Sequence, residues 1–226
     1  MVEKCVVIGA GELQDAEKEK IMECLQGGAG SVLLIAADGG MDYCRQMELV
    51  PDVCLGDFDS ISPEEGEERS GKECRSQTGD VLTIRLPREK DDTDMLVALK
   101  YGMGQGCLEF HMFGGCGGRL DHTIANLQCL VFLRRQSCRG YLYFQEGRAF
   151  VLKNEAVTFD PQEQGVLSLF AMGERAEGVT IKGLKYELTD AVLTNEFPVG
   201  VSNEFTGRNC SVSVKKGELL VILHSA

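Results

Sequence analysis

The chain has 226 residues, 43% hydrophobic and 26% charged, which is apolar material for one large core or two modest ones and excludes global disorder. Its formal net charge of -12 argues against a nucleic-acid or anionic-membrane surface, while a metal ion could still mask carboxylate charge locally and admit a phosphate substrate. No apolar run approaches the ~20 residues that cross a bilayer. The opening Cys5-Val-Val-Ile-Gly9 reads as a first strand rather than a signal peptide, so a cytoplasmic protein without membrane attachment is expected.

In chain order, Cys5 to Gly9 is a strand and Asp15 to Leu25 a helix with apolar Ile21, Met22 and Leu25. Ser31 to Ala37 is a second strand, Met41 to Met47 a short helix, and Val53 to Leu55 a third strand. Residues 63–79 are acidic and aperiodic and read as a loop. A helix starts at Asp94, a strand covers Leu108 to Phe113, and Asp121 to Arg134 is a long helix with Ile124, Leu127, Leu130 and Val131 at core spacing. This alternation implies a mostly parallel sheet flanked by helices. Near Gln136-Ser137 the pattern changes to strands and turns: Tyr141 to Phe144, Ala149 to Leu152, Val166 to Phe170, Val179 to Ile181, Ala191 to Thr194, Cys210 to Val214 and Leu219 to Leu223. Two domains are expected: α/β over 1–137, and all-β, a sandwich or barrel, over 138–226. The ten cysteines form no C-x-x-C pair and fall in apolar, strand-like or helical settings, so reduced, mostly buried thiols are expected.

The chemical signal is a set of aspartates at the ends of the expected strands, where open α/β sheets bind ligands. Asp38 follows the second strand and leads into Gly39-Gly40; Asp57 and Asp59 follow the third; Asp91, Asp92 and Asp94 precede a helix; Asp121 follows the segment Gly114-Gly-Cys-Gly-Gly-Arg119. Asp57 and Asp59, one residue apart, point to the same side of an extended stretch, and Asp91 and Asp94 share a face at a helix start. Like charges this close call for a hard divalent cation such as magnesium, with waters and phosphate oxygens completing its shell. The bland reading of each is a solvated turn residue, or a helix cap at Asp92 or Thr93. Gly39-Gly40, Gly114-Gly115 and Gly117-Gly118 let backbone approach phosphates, and Arg88, Lys90 and Arg119 can offset triphosphate charge. No G-x-x-x-x-G-K-[ST] occurs, which disfavours a P-loop enzyme. His122 reads as a helix-start residue, and His111 and His224 as structural strand residues.

Five pieces stand in one order across nearly the whole chain: Ala37-Asp-Gly-Gly40, Pro51-Asp-Val-Cys-Leu-Gly-Asp-Phe-Asp-Ser60, Lys90-Asp-Asp-Thr-Asp94, Gly117-Gly-Arg-Leu-Asp-His122 and Gly200-Val-Ser-Asn-Glu204. Together they resemble the thiamine pyrophosphokinases. The resemblance implies an α/β catalytic domain followed by a β-sandwich, a homodimer with shared active sites, and transfer of pyrophosphate from ATP to the thiamine hydroxyl with release of AMP. It implies that Asp57, Asp59 and Asp94 hold magnesium on the ATP phosphates, and that Asp38, Thr93, Arg119 and Asp121 line the nucleotide and transfer site. Gly39, Lys90, Asp91 and Gly118 join them as nucleotide contacts, Ser202 and Asn203 lie by the thiamine, and Phe205 stacks on it. Asp92 stands where the family varies, and Cys116 interrupts the glycine segment where small residues are common. The alternatives are a related transferase acting on another alcohol and a catalytically silent nucleotide- or thiamine-binding sensor.

Overall fold

A computed structural model describes residues 2–26, 32–56, 73–75, 81–87, 91–145 and 147–225. The chain forms two compact units, one of residues 1–126 with 143–145, the other of 127–142 with 146–226. The change in composition lies at 137–138, whereas the division in packing falls inside a helix that begins in the first unit and ends in the second.

In the first unit, β1 (Lys4–Ile8), β2 (Val32–Ala37), β3 (Val53–Gly56), β5 (Leu82–Arg85) and β6 (Glu109–Phe113) are parallel, in the order β6-β1-β2-β3-β5. β4 (Glu73–Arg75) adds an antiparallel edge on β5. The expected loop over 63–79 is thus corrected at 73–75; its other residues lie outside those described. β1 and β2 are near-continuous apolar runs because a parallel sheet is covered on both faces: Cys5, Val6, Val7, Ile8 and Ile35 are fully buried. The helices packed on the sheet are α1 (Asp15–Leu25), α2 (Gly40–Gln46) and α3 (Asp94–Gly104); α4 (Leu120–Arg135) follows the glycine segment, its first turns largely exposed. α1 buries Ile21 and Cys24, three residues apart, and α3 buries Met95, Ala98, Leu99 and Gly102, the spacing that lays one helical stripe on a sheet.

The second unit has two sheets, one of β7 (Arg139–Phe144), β8 (Gly147–Lys153), β15 (Glu218–His224), β10 (Val166–Ala171) and β13 (Gly200–Glu204) in that order, β7 giving its last residues to the first unit. The other runs β12 (Leu188–Thr194), β11 (Arg175–Lys182), β14 (Cys210–Ser213), β9 (Ala156–Phe159). Alternate residues of both sheets meet in one core: Phe150, Leu152, Leu167, Leu169, Val221 and Leu223 from the first, Phe159, Val179, Ile181, Leu193 and Val212 from the second. This is the expected sandwich. Cys5, Cys24, Cys44, Cys54, Cys107, Cys129, Cys138 and Cys210 are buried free thiols, and Cys116 is a half-buried one. Among the described residues no helix is long and apolar enough to cross a membrane.

Candidate active site

Strand order fixes where a ligand can bind in the first unit. From the central β1 the chain steps outward through β2 and β3 to β5, then returns to the other flank of β1 as β6. The reversal makes β1/β6 the switch point, the place where open α/β sheets bind ligands. The loops after these two strands are residues 9–14 and the glycine segment 114–119.

Backbone packing ties the two loops together. Gly9 N–H donates to Phe113 O at 2.8 Å and Gly11 N–H to Gly114 O at 2.9 Å. Gly114 has φ 61°, a left-handed conformation, and a Cβ on it would lie 2.7 Å from Gly9 O. The loop after β1 also supports two helix starts. A Cβ on Gly40 would stand 1.9 Å from Ile8 O, so α2 begins against the end of β1 with no room for a side chain. Met95, in the first turn of α3, brings its methyl within 3.0 Å of the Cβ position of Gly9. The starts of α2 and α3 and the glycine segment therefore converge on one edge of the sheet.

The described aspartates follow from this. Asp38 leaves β2 with φ 52° and gives its N–H to Leu55 O at 2.7 Å, which sets it beside the end of β3. Left-handed backbone is uncommon outside glycine, and Asp is among the residues that tolerate it. Gly39 is the N-cap of α2. Thr93 caps α3, its Oγ1 accepting the Leu96 N–H at 3.2 Å, and Asp94 is the first helical residue, half-buried. Asp91 is exposed, while Asp92 pairs with Lys100 on α3. Asp57, Asp59 and Lys90 lie outside the described residues; Asp57 follows directly on Gly56, the last residue of β3. Among the described residues no group of three His, Cys, Asp or Glu is placed to hold a metal ion.

Arg119 and Asp121 form a two-pronged ion pair, Nε to Oδ1 at 3.1 Å and Nη2 to Oδ2 at 2.6 Å, on the surface at the start of α4. The guanidinium, chiefly through these hydrogen bonds, holds the Asp121 carboxyl below its ordinary value, and Asp121 holds Arg119 above its own. His122 donates its N–H to Asp121 Oδ1 at 3.0 Å, as suits a helix start. A Cβ on Gly118 would meet nothing within 4 Å, so nothing in the chain itself demands glycine there.

Two buried polar residues passed over in the sequence lie beside the segment, and one of them anchors it. Glu17 is 4% exposed. Its Oε2 accepts the Gln14 N–H at 3.2 Å, the return half of a capping box. Burial pushes this carboxyl up, and the neighbouring Gln14 and Gly114 peptides pull it partly back. Asn126, buried on α4, donates Nδ2 to Gly115 O at 2.8 Å. The half-buried Cys116 thiol is pushed up to about 11, mainly by burial, with the charge of Glu17 adding to it. The Gln14-x-x-Glu17 spacing of a capping box was the signal for Glu17; a single Asn within a helix gives none.

In the second unit, Ser202 is exposed on β13 with φ 59°, its N–H donating to the buried Ser168 Oγ at 3.0 Å. Asn203 is buried and spends its amide on backbone. Oδ1 accepts Tyr186 N–H at 2.9 Å and Glu204 N–H at 3.0 Å, and Nδ2 donates to Tyr186 O at 2.7 Å. Phe205 is half-buried against the sandwich core, edge-on to Phe159 with ring centroids 5.7 Å apart.

An open parallel sheet with aspartates beyond its strand ends and a glycine segment at its switch point is the construction of the nucleotide-handling α/β enzymes, here followed by a β-sandwich. Two family profiles match the chain: "Thiamin pyrophosphokinase, catalytic domain" over residues 28–142 and "Thiamin pyrophosphokinase, vitamin B1 binding domain" over residues 155–219. The thiamine pyrophosphokinase of Bacillus subtilis (strain 168) is 26% identical over 198 residues, 84% of this chain and 86% of that protein. Thiamine pyrophosphokinase 1 of Oryza sativa subsp. japonica is 27% identical over 203 residues, 83% of this chain and 72% of that one. A crystal structure of the Bacillus subtilis enzyme shares the fold, with TM-score 0.78 at 22% identity over 98% of this chain and 99% of that one. The chain belongs to the thiamin pyrophosphokinase family.

Proposed function

We propose that the chain transfers the pyrophosphoryl group of ATP to the hydroxyl of thiamine, giving thiamine diphosphate and AMP. The observation that carries this is the match of a catalytic-domain profile and a vitamin B1 binding profile in tandem, 28–142 and 155–219. In the reaction the thiamine hydroxyl oxygen attacks the β-phosphorus of ATP. The bond from that phosphorus to the α–β bridging oxygen breaks, AMP leaves with the bridging oxygen, and the hydroxyl proton passes to a base. Such chemistry is chiefly positioning and charge neutralisation.

Each residue has a role in that scheme. The glycine segment and Gly39 offer backbone N–H groups to phosphate oxygens, with Lys90 and Asp91 beside the nucleotide. Arg119 turns from Asp121 to the phosphates and spreads its charge over the transferred group or the leaving AMP. Asp121, freed of the guanidinium that lowers its carboxyl, then accepts the hydroxyl proton. Ser202 presents its hydroxyl to thiamine from a strained backbone, and the part of the Phe205 ring outside the core stacks on it. Asn203 acts through Tyr186, whose backbone it holds.

Magnesium suits the donor set: Asp38 at the end of β2, Asp94 at the start of α3 and, in sequence, Asp57 and Asp59 after β3 are all carboxylates, the hard oxygen donors it takes. Asp57, Asp59 and Asp94 would hold it, and when bound it would neutralise phosphate charge. Homodimerisation with shared sites goes with this reading; Phe197, Val199 and Val201 leave an exposed apolar run on and before β13 for a second copy. The free thiols suit a reducing cytoplasm, and the net charge of -12 disfavours nucleic acid and anionic membranes as partners. Asp94→Asn tests the carboxylate role: kcat falls by about 100-fold or more with the fold intact. Near-normal turnover at saturating magnesium would remove Asp94 from the site.

A further inference from the structure

Asn126 is a buried polar side chain that the reaction scheme does not use. Residues 120–125 of α4 are exposed or half-buried, Leu120 and Ile124 among them, and the first side chain of the helix to be buried is this amide, at 7% exposure. Asparagine is a poor residue for a helix interior, and an amide out of water is costly unless it is hydrogen-bonded. Its partner is Gly115 O, to which Nδ2 donates at 2.8 Å. A carbonyl can only accept, so the NH2 end of the amide must face it.

That bond completes a series. Phe113 O takes the Gly9 N–H, Gly114 O takes the Gly11 N–H, and Gly115 O takes Asn126, so three successive carbonyls are held from the end of β6 into the glycine segment. The first two bonds come from the loop after β1 and run backbone to backbone; they ask only for glycine at 11, where a Cβ would lie 2.5 Å from Gly114 O. The third comes from a side chain of the helix that the segment runs into. It closes residues 115–126 into a ring of chain that contains Arg119 and Asp121. Between Gly115 and the helix lie only residues 116–119, and a Cβ on Gly117 or Gly118 would meet nothing within 4 Å. The place of the helix start is therefore set by the bond that Asn126 makes.

We propose that Asn126 is a positioning residue for pyrophosphoryl transfer: by fastening Gly115 to α4 it fixes where the start of that helix stands against the end of β6, and with it Arg119 and Asp121. The inference rests on the pyrophosphoryl-transfer reading above. Asn126 touches no substrate; it acts through the Gly115 peptide. A shift of about 1 Å in a group that meets the transferred phosphoryl can cost about 100-fold in rate, so one tether at the root of the segment weighs more on turnover than on the fold.

The test begins with the wild-type chain, ATP, magnesium and thiamine. No AMP and no thiamine diphosphate would defeat the reading of function itself, independently of Asn126. Given turnover, Asn126→Leu removes the amide, keeps a branched side chain and favours the helix. Asn126→Ala, which adds no bulk, takes its place if the leucine does not pack. Each variant is checked by circular dichroism and thermal melting. ATP affinity is measured by equilibrium titration without thiamine, in the wild-type and in an Arg119→Ala background, and kcat and KM by AMP release. The expected result is kcat and ATP affinity each lowered about tenfold, with KM for thiamine within about twofold of wild type. In the Arg119→Ala background the same substitution should lower ATP affinity by no more than about twofold, because the two residues act as a unit. Unchanged kcat and ATP affinity in a folded variant overturn the proposal. So does a loss of ATP affinity of the same size with and without Arg119, or an equal loss for ATP and thiamine. If neither variant folds, Asn126 serves the fold and the proposal is likewise overturned.

Discussion

Asn203, proposed beside the thiamine, spends its amide on the chain itself. Its neighbours Ser202 and Glu204 are exposed, yet it is 5% exposed and its amide is committed to Tyr186 and Glu204 backbone. Asn203→Ala leaves those peptide groups unpaired and should cost about 2 kcal/mol in denaturant unfolding. Since it also releases the segment beside Ser202, KM for thiamine should rise while KM for ATP holds. Phe205 makes the converse case. Phe205→Ala should lower the melting temperature, because the ring packs on Phe159 and the core, and should also raise KM for thiamine if its free part stacks. A lower melting point with an unchanged KM for thiamine would leave Phe205 a core residue only. The strand-end aspartates were legible as a set because charge repulsion at successive strand ends needs an explanation. The burial of Asn203 was not, because the order Ser-Asn-Glu says nothing of which side faces the core.

At the scale of elements, α3 and α2 are set by one contact each. Thr93→Ala removes the cap on Leu96 N–H and should cost about 1 kcal/mol, with a larger effect on turnover than on stability because Asp94 is the next residue. Gly40→Ala drives a methyl into Ile8 O, and the loss should be on the order of 4 kcal/mol or all soluble protein. The middle of β6 carries a buried polar network that neither strand period nor helix period could reveal. His111 Nε2 meets Glu109 Oε1 at 2.8 Å, and Nδ1 meets Tyr143 OH at 3.0 Å and Cys24 Sγ at 3.4 Å, with Lys4 and Lys20 nearby. Burial lowers the imidazole below its ordinary 6.5, against the pull of Glu109. The unfolded chain then binds the proton first as pH falls. The stabilisation is complete above 6.5 and is lost as pH falls through the folded-state value. Melting temperature should therefore drop from pH 7 to pH 5 more steeply in wild type than in His111→Gln. Glu17 has the opposite sign: its carboxyl is raised, so its contribution is complete below 4.5 and is lost as pH rises through its folded-state value. The short strands β4 and β5 escaped the sequence reading for a related reason. β5 is only half-buried or exposed, so it shows neither the apolar run of a central strand nor a clean alternation.

At the scale of the whole chain, the order of motifs made the fold legible: strand, glycine pair or aspartate, helix, repeated, then strands alone. What it left open is whether one chain or two complete the site. Mixing Asp94→Asn with a Ser202→Ala/Phe205→Ala double variant should restore part of the activity if sites are shared, since a mixed dimer keeps one unaltered set of residues. Continued silence despite demonstrated subunit exchange would mean that each chain serves itself. The central claim is the position of attack on ATP, and product identity tests it most directly. The purified chain is incubated with ATP, magnesium and thiamine, and the nucleotides and thiamine phosphates are resolved. AMP and thiamine diphosphate in equal amounts, both dependent on thiamine, are the result this account predicts. ADP with thiamine monophosphate, or tight binding of both substrates with no product, would contradict it.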